Sequence, residues 1–157
     1  MKLIFKQRVF SWFDSYDIYD EYGNTVFTVE GKMSWGKKLH INDASGTHIA
    51  TLQQKIFSFM PTFDIFLGER HVGSIKKEFT FFTPSFNIDF NGWHVEGNFL
   101  EWDYNIKNES GDIVATLEKK IMNWTDTYVL EIAEAYDAVT VLMVALAIDA
   151  EKDIRRD

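Results

Sequence analysis

The sequence predicts a mainly β protein, a closed antiparallel barrel of about twelve strands wrapped around a hydrophobic C-terminal helix. Two observations predict this fold class: a hairpin-forming unit recurs about six times, and an almost continuous apolar run lies near the C-terminal end. The chain has 157 residues, of which 46% are hydrophobic and 16% aromatic, so it can bury a proper core. We therefore expect one domain over residues 1–157.

The apolar run extends from Ala138 to Ile148, and every residue in it except Thr140 is apolar. A helix through this run is hydrophobic on all sides, so it must be surrounded by protein or by lipid. Its 11 residues are well short of the roughly 20 that a bilayer span needs, and charged residues follow at once. We therefore expect a core helix at about 137–153 and no transmembrane span.

The recurring unit consists of an aromatic residue, an alternating apolar stretch, a turn and a second short strand. Its clearest copies are Arg8–Tyr19 and Lys55–Phe66, which match along their whole length. The leading aromatic is expected to be one equivalent position in all six units. Its six occurrences are Trp12, Trp35, Phe59, Phe82, Trp102 and Trp124.

Each unit is typical of a β-hairpin. Asn91-Gly92 is a strong two-residue hairpin signal, and the segment from Asp43 to Gly46 fits a type I turn closed by a left-handed Gly. After several turns, apolar residues stand three apart instead of two, as Ile49 and Leu52 do, which breaks the strand period. This spacing predicts a bulge or bend in every second strand.

Closure follows from the number of strands. Five hairpins and a sixth strand or hairpin give about eleven or twelve strands, and a flat open sheet of that size usually curls. Closing the sheet removes its edges. An eight-stranded barrel is just filled by its own side chains, so a barrel of about twelve needs additional filling. The segment Ala138–Ile148 is the apolar rod available for that role.

Five motifs carry a resemblance to a known family. They are KQRVFS at 6–11, YDIYDEYGN at 16–24, VEGK at 29–32, KKL at 37–39 and QKIFSF at 54–59. They resemble the LURP-one-related family, including its bacterial members, which is grouped with the tubby C-terminal-like domains. The resemblance covers nearly the whole chain and implies a twelve-stranded barrel around a central hydrophobic helix. Tubby domains bind phosphoinositide headgroups through basic side chains, so it also implies a lipid-binding role by analogy of fold.

Composition narrows the classes of function. The chain has no Cys, which excludes thiolate catalysis and disulfides and suits a reducing compartment. Charges at Lys2, Lys6 and Arg8 interrupt any signal-peptide core, so we expect a cytoplasmic protein with, at most, peripheral membrane attachment. A net charge of −8 opposes nucleic-acid binding. No phosphate-binding loop, hydrolase elbow or metalloprotease motif is present, so we expect no enzyme, no catalytic residues and no cofactor.

The best functional feature is a recurrence of lysines beyond the second strand of the hairpins. Equivalent positions of successive hairpins fall at one rim of a barrel, so these amines could form a positive arc. An aromatic residue follows most of them, and this combination favours an anionic membrane surface or lipid headgroups. The alternative is that the lysines only protect strand ends while the aromatics are buried. The lysines are Lys32, Lys37, Lys38, Lys55, Lys76, Lys77, Lys119 and Lys120.

Two other functions stay open at this stage. Trp93 lies in the fourth hairpin turn, where a core role is awkward, and an exposed Trp there would favour a protein-interaction or scaffolding module. A small-molecule carrier or enzyme would need a deep polar pocket between helix and wall. In each case we expect a monomer.

Histidines recur at His48, His71 and His94. Alternate strands lie about 10 Å apart, which is too far for a shared metal ion, so we interpret these histidines as solvent-facing and expect no metal site. His40 could approach His48 across the second hairpin.

Overall fold

The computed structural model describes residues 1–6, 15–78, 85–98, 101–122 and 125–156. In this part of the chain, twelve antiparallel strands close into one barrel in chain order, and β1 pairs with β12. The predicted fold class is confirmed. The strands are β1 (Lys2–Lys6), β2 (Ser15–Tyr19), β3 (Thr25–Lys32), β4 (Lys38–Asp43), β5 (His48–Gln54), β6 (Thr62–Leu67), β7 (Arg70–Glu78), β8 (Ser85–Ile88), β9 (Trp93–Asn98), β10 (Asp103–Lys107), β11 (Ile113–Met122) and β12 (Thr125–Ile132).

The two ends of the barrel differ in their connections. The turn rim carries turns such as 20–24, 44–47 and 108–112, and the loop rim carries connections such as 33–37 and 55–61, of which the second is the longer. After β12 the chain passes through a 3₁₀ turn at Ala135–Asp137 and enters the barrel from the turn rim as α1 (Ala138–Arg156). The helix therefore ends at the loop rim.

The turns at the turn rim owe their shape to Asp or Asn followed by a left-handed Gly. In the first turn, the Asp20 carboxylate accepts hydrogen bonds from the amides of Tyr22 and Asn24, both at 2.9 Å. Gly23 has a φ of +85°, a region that costs other residues strain. The turn after β4 repeats this arrangement with Asp43 and Gly46, as the sequence predicts.

The predicted bulges are present in four hairpins. In each, one residue near the start of the second strand is skipped in the register: Ile18 pairs with Phe27 and Tyr19 with Thr25, for example. The added residue lets two apolar side chains turn toward the core where strict alternation would allow one. The four skipped residues are Val26, Ile49, Val72 and Val114.

The core lies between α1 and the inward side chains of the strands. Every residue from Val141 to Ile148 is at most 3% exposed, so the helix is buried on all sides. It runs three residues beyond its predicted end near 153, because Glu151 and Lys152 remain buried inside the barrel instead of ending the helix in water. Across the described residues, no helix combines the length and apolar character needed to cross a bilayer.

Candidate functional site: apolar loop tips beside a lysine arc

Two connections at the loop rim lie against each other, and we call residues 33–37 and 55–61 the paired loops. Hydrogen bonds join the first of them to the end of β5. The Gln54 side-chain oxygen accepts from the Lys37 amide at 2.9 Å, and the Gln53 side chain donates to Ser34 Oγ at 2.9 Å. A Cβ on Gly36 would come within 2.6 Å of the Ile56 side chain, so that side chain can pack against the first loop because residue 36 is Gly.

The paired loops expose large apolar side chains at their tips. Met33 is 87% exposed, Trp35 86%, Phe57 97% and Phe59 100%, and Ile56 beside them is 42% exposed. Single exposed apolar residues are ordinary, but a contiguous group of this size usually marks an interaction surface. The alternative in which the aromatics after the lysines are buried is therefore wrong for Trp35 and Phe59.

Side chains of the second loop fix its backbone and hold its tip outward. The Ser58 hydroxyl lies 2.8 Å from the carbonyl oxygen of Met60 and 3.2 Å from that of Lys55. Thr62 Oγ1 donates to the same Met60 carbonyl at 2.8 Å. These bonds occupy the polar groups of the loop and leave the Phe57 and Phe59 rings facing solvent.

Five of the predicted lysines flank the paired loops and lie on β3, β4, β5 and β7 or at the ends of these strands. We call them the lysine arc: Lys32, Lys37, Lys38, Lys55 and Lys76. Within the arc, Lys32 forms an exposed pair with Glu30 at 2.9 Å, and Lys55 lies 3.8 Å from Asp64. The neighbouring amine lowers the pKa of Glu30. Because an ion pair between exposed side chains is weak, the Lys32 amine can turn toward an external anion. Lys55 can do so because its own side chain is 52% exposed and its contact with the partly buried Asp64 is long.

The other three predicted lysines do not join the arc. Lys119 and Lys120 lie on β11, which is far around the barrel from β4 and β5, and Lys120 is 3.5 Å from Glu118. Lys77 points into the barrel, with 13% of its side chain exposed, and forms a 2.6 Å ion pair with the buried Glu151. The eight lysines therefore form neither one arc nor one surface.

Lys77 belongs to an inner polar cluster where α1 reaches the loop rim. Lys152, which is 7% exposed, lies over the Trp102 ring at 3.7 Å from its centre, in a cation–π contact. Burial, then the charge of nearby Asp149, raises the pKa of Tyr104 well above its ordinary value. The sequence offers one signal for this cluster, since Lys77 falls two residues after the buried Ile75 on the same strand and so on its inward face.

The prediction that Trp93 is an exposed aromatic is wrong. Trp93 is 8% exposed and is the first residue of β9. Asn91 and Gly92 complete the turn before it, with Gly92 at a φ of +71°, so the strand alternation directs Trp93 inward together with Val95. The repeated aromatic is likewise not one equivalent position, because Trp102 is 7% exposed while Trp35 is not buried. The other expected occurrences, Trp12, Phe82 and Trp124, lie outside the described residues.

Two of the histidines, His40 and His48, form a stacked pair. The rings of His40 and His48 stack with centres 4.4 Å apart, as their approach across the hairpin suggests. His48 Nε2 also lies 2.8 Å from Thr51 Oγ1. His71 is 3.1 Å from Asp64, and His94 is on β9. Among the described residues, no three His, Cys, Asp or Glu side chains are grouped to hold a metal ion.

The His40 ring makes stability depend on pH. Burial lowers the pKa of His40 below its ordinary 6.5, and the charge of His48 lowers it further. The unfolded chain therefore takes up the proton first, so the free energy of unfolding decreases as pH falls through about 6.5. We expect His40→Gln to reduce this decrease, measured by urea unfolding between about pH 7.5 and pH 5.5. An undiminished decrease in the variant would contradict this assignment.

The fold and the site together define a class of protein, a twelve-stranded antiparallel barrel that encloses its own C-terminal helix. A solved protein of Arabidopsis thaliana has a similar fold, with a TM-score of 0.64 over 94% of this chain and 90% of that one, at 17% identity. A model of the LURP-one-related family matches residues 1–149. The chain belongs to the LURP-one-related family. It is 30% identical to the uncharacterized protein YxjI of Bacillus subtilis (strain 168), over 95% of this chain and 92% of that one.

Proposed function

We propose that this protein is a non-enzymatic, cytoplasmic binding module that attaches peripherally to anionic membrane surfaces through the paired loops. The apolar tips enter the interface between headgroups and acyl chains, and the lysine arc lies against the headgroups. The observation that carries the proposal is the exposure of Met33, Trp35, Phe57 and Phe59, each at least 86% exposed, directly beside that arc.

The energetics favour a local attachment over a general electrostatic one. With a net charge of −8, the whole molecule is repelled by an anionic surface. Full burial of each apolar tip contributes about 1.5–3 kcal/mol as an upper bound, and each lysine near an anionic leaflet about 1 kcal/mol. Both contributions act at the paired loops, so they orient the protein with its loop rim toward the membrane.

Liposome co-sedimentation with and without anionic lipid tests the proposal. We expect the wild type to sediment with anionic vesicles and the variant Trp35→Ser/Phe59→Ser to lose most of this binding, because its largest insertion contacts are gone. We also expect Lys37→Glu/Lys38→Glu to weaken binding. The matched control is Lys119→Glu/Lys120→Glu, which changes the net charge equally on the far side of the barrel.

The control determines how a loss is interpreted. Equal losses in the two lysine variants would show a response to total charge and would overturn the assignment to the paired loops. Equal sedimentation of all samples, or none in any, would remove the membrane proposal. In that case the exposed tips would be left as a surface for a protein partner, which is the scaffolding alternative.

A further inference from the structure

A groove of about 550 Å³ lies on the outer wall of the barrel directly below the second of the paired loops. It crosses β6, β7 and β8, and the loop residues Phe59 and Met60 form its upper edge. The volume is within the usual range for small-ligand sites. The groove therefore opens beside the side chains that the proposed function inserts into a membrane.

Lys76 lies at the centre of the groove. Its register partners are Thr62 on β6 and Asn87 on β8, so an amine, a hydroxyl and an amide lie in one row across three strands. Among the described residues, Lys76 forms no ion pair. Lys55 lies at the edge of the same groove, with 52% of its side chain exposed. Two amines are thus available to one phosphate.

Carboxylates lie on both sides of Lys76 along the barrel axis. Glu78 is nearer the loop rim than Lys76, and Asp89 is two register positions farther from that rim than Lys76. Lys55 and Lys76 balance Glu78 and Asp89, so the charged lining of the groove sums to zero. A ligand with only negative charge would meet a carboxylate at either end, whereas a headgroup with charges of both signs can place its cation against one of the two carboxylates.

The position of Asp89 is built into the barrel. Its Oδ1 accepts a 2.7 Å hydrogen bond from the Ser74 amide, while its own amide donates to the Ser74 carbonyl at 3.1 Å. A Cβ on Gly73 would come within 2.5 Å of the same Asp89 oxygen. Residue 73 must therefore stay without a side chain for the carboxylate to lie at this depth in the groove.

We propose that this groove binds the headgroup of an aminophospholipid, which carries a phosphate and a primary ammonium. The inference rests on the proposed function, since it names the lipid that the membrane-bound rim selects. Lys55 and Lys76 hold the phosphate, and Asp89 accepts the ammonium. From the rim, the groove presents apolar Phe59 and Met60 beside the acyl chains, then Glu78, then the two amines and then Asp89. The ammonium acceptor therefore lies beyond the amines, as the ammonium lies beyond the phosphate in the lipid.

Co-sedimentation with three vesicle compositions tests this inference. The first is phosphatidylcholine alone, the second adds phosphatidylglycerol, and the third keeps the phosphatidylglycerol while phosphatidylethanolamine replaces part of the phosphatidylcholine. The last exchange leaves the surface charge unchanged. We expect the wild type to bind the third composition about tenfold more tightly than the second, which corresponds to about 1.4 kcal/mol.

Variants separate headgroup binding from an effect of lipid packing. Asp89→Asn should lose the gain in affinity from phosphatidylethanolamine and keep the binding to phosphatidylglycerol. Lys76→Gln should lose the same gain and, because Lys76 belongs to the lysine arc, should also weaken the binding to phosphatidylglycerol. Unchanged thermal melting verifies the folding of both variants. The control Glu131→Gln, an exposed carboxylate on β12, should keep the full gain. Soluble O-phosphoethanolamine should abolish the increase in vesicle affinity that phosphatidylethanolamine causes, whereas inorganic phosphate should not.

The outcomes distinguish the two proposals. If the wild type binds phosphatidylglycerol vesicles and phosphatidylethanolamine adds nothing, the headgroup inference is overturned and the membrane proposal stands. If the gain persists in both groove variants, it comes from lipid packing and the inference is again overturned. If inorganic phosphate competes as well as O-phosphoethanolamine, the groove recognises phosphate without the ammonium and the headgroup inference is overturned. Absence of binding to every vesicle overturns both proposals.

Discussion

Replacing Leu142 with Asp will leave the protein unable to fold. Leu142 is 0% exposed near the middle of the buried stretch of α1, so the substituted carboxylate would face apolar side chains on every side. Burying an ionisable group without partners costs several kcal/mol even after relaxation, and a domain has only about 5–15 kcal/mol of stability. We expect insoluble protein or loss of the cooperative thermal transition, followed by circular dichroism.

Two further chains complete this experiment. A protein ending at Tyr136 lacks the whole helix and should also fail to fold, since strands alone cannot fill a barrel of this width. Leu142→Met conserves volume and polarity and should melt within a few degrees of the wild type, because such exchanges usually cost less than about 1.5 kcal/mol. Soluble, cooperatively melting protein from either disruptive change would contradict the role of the helix.

Replacing Glu151 with Leu will destabilise the protein by about 3–5 kcal/mol, because the Lys77 amine then remains buried without its counter-charge. The double variant Lys77→Met/Glu151→Leu should recover most of this loss, since it removes both charges and retains apolar volume. Urea unfolding of the wild type and of the single and double variants measures the difference. A double variant as unstable as the single one would show that the ion pair is not the source of the loss.

An exposed ion pair provides the comparison for the buried pair of Lys77 and Glu151. Lys107 and Glu96 pair on the outer surface, where Lys107 lowers the pKa of Glu96. We expect Glu96→Gln to cost at most about 1 kcal/mol, because water and salt screen exposed charges. Losses of equal size in Glu96→Gln and Glu151→Leu would show that burial does not govern the energy of the Lys77 pair.

Periodicity predicts the barrel because it reports which face of each strand is buried. The spacing of three between Ile49 and Leu52 predicts a bulge, and the structure has it at Ile49. The buried helix is equally predictable, since a helix without a polar face must be surrounded by other apolar groups. These features depend on near neighbours in the chain, which a sequence displays directly.

The candidate site was only partly predictable, because the direction of each side chain depends on where a strand begins. Lys76 and Lys77 are adjacent, yet one faces the groove and the other faces α1. Trp93 becomes a core residue because the turn ends one position before it. The exposure of Trp35 and Phe59 follows from the packing of two loops against each other, which no repeat of a single hairpin encodes.

The pairing of β1 with β12 has a consequence for protein synthesis. Lys2 on β1 pairs with Glu131 on β12, so β1 cannot complete its pairing until β12 has been synthesised. At the usual rate of about 5–20 residues per second, that wait is on the order of ten seconds. During it the nascent strands expose unpaired edges, which are prone to aggregation. The chain is therefore expected to need chaperones until its helix has been translated.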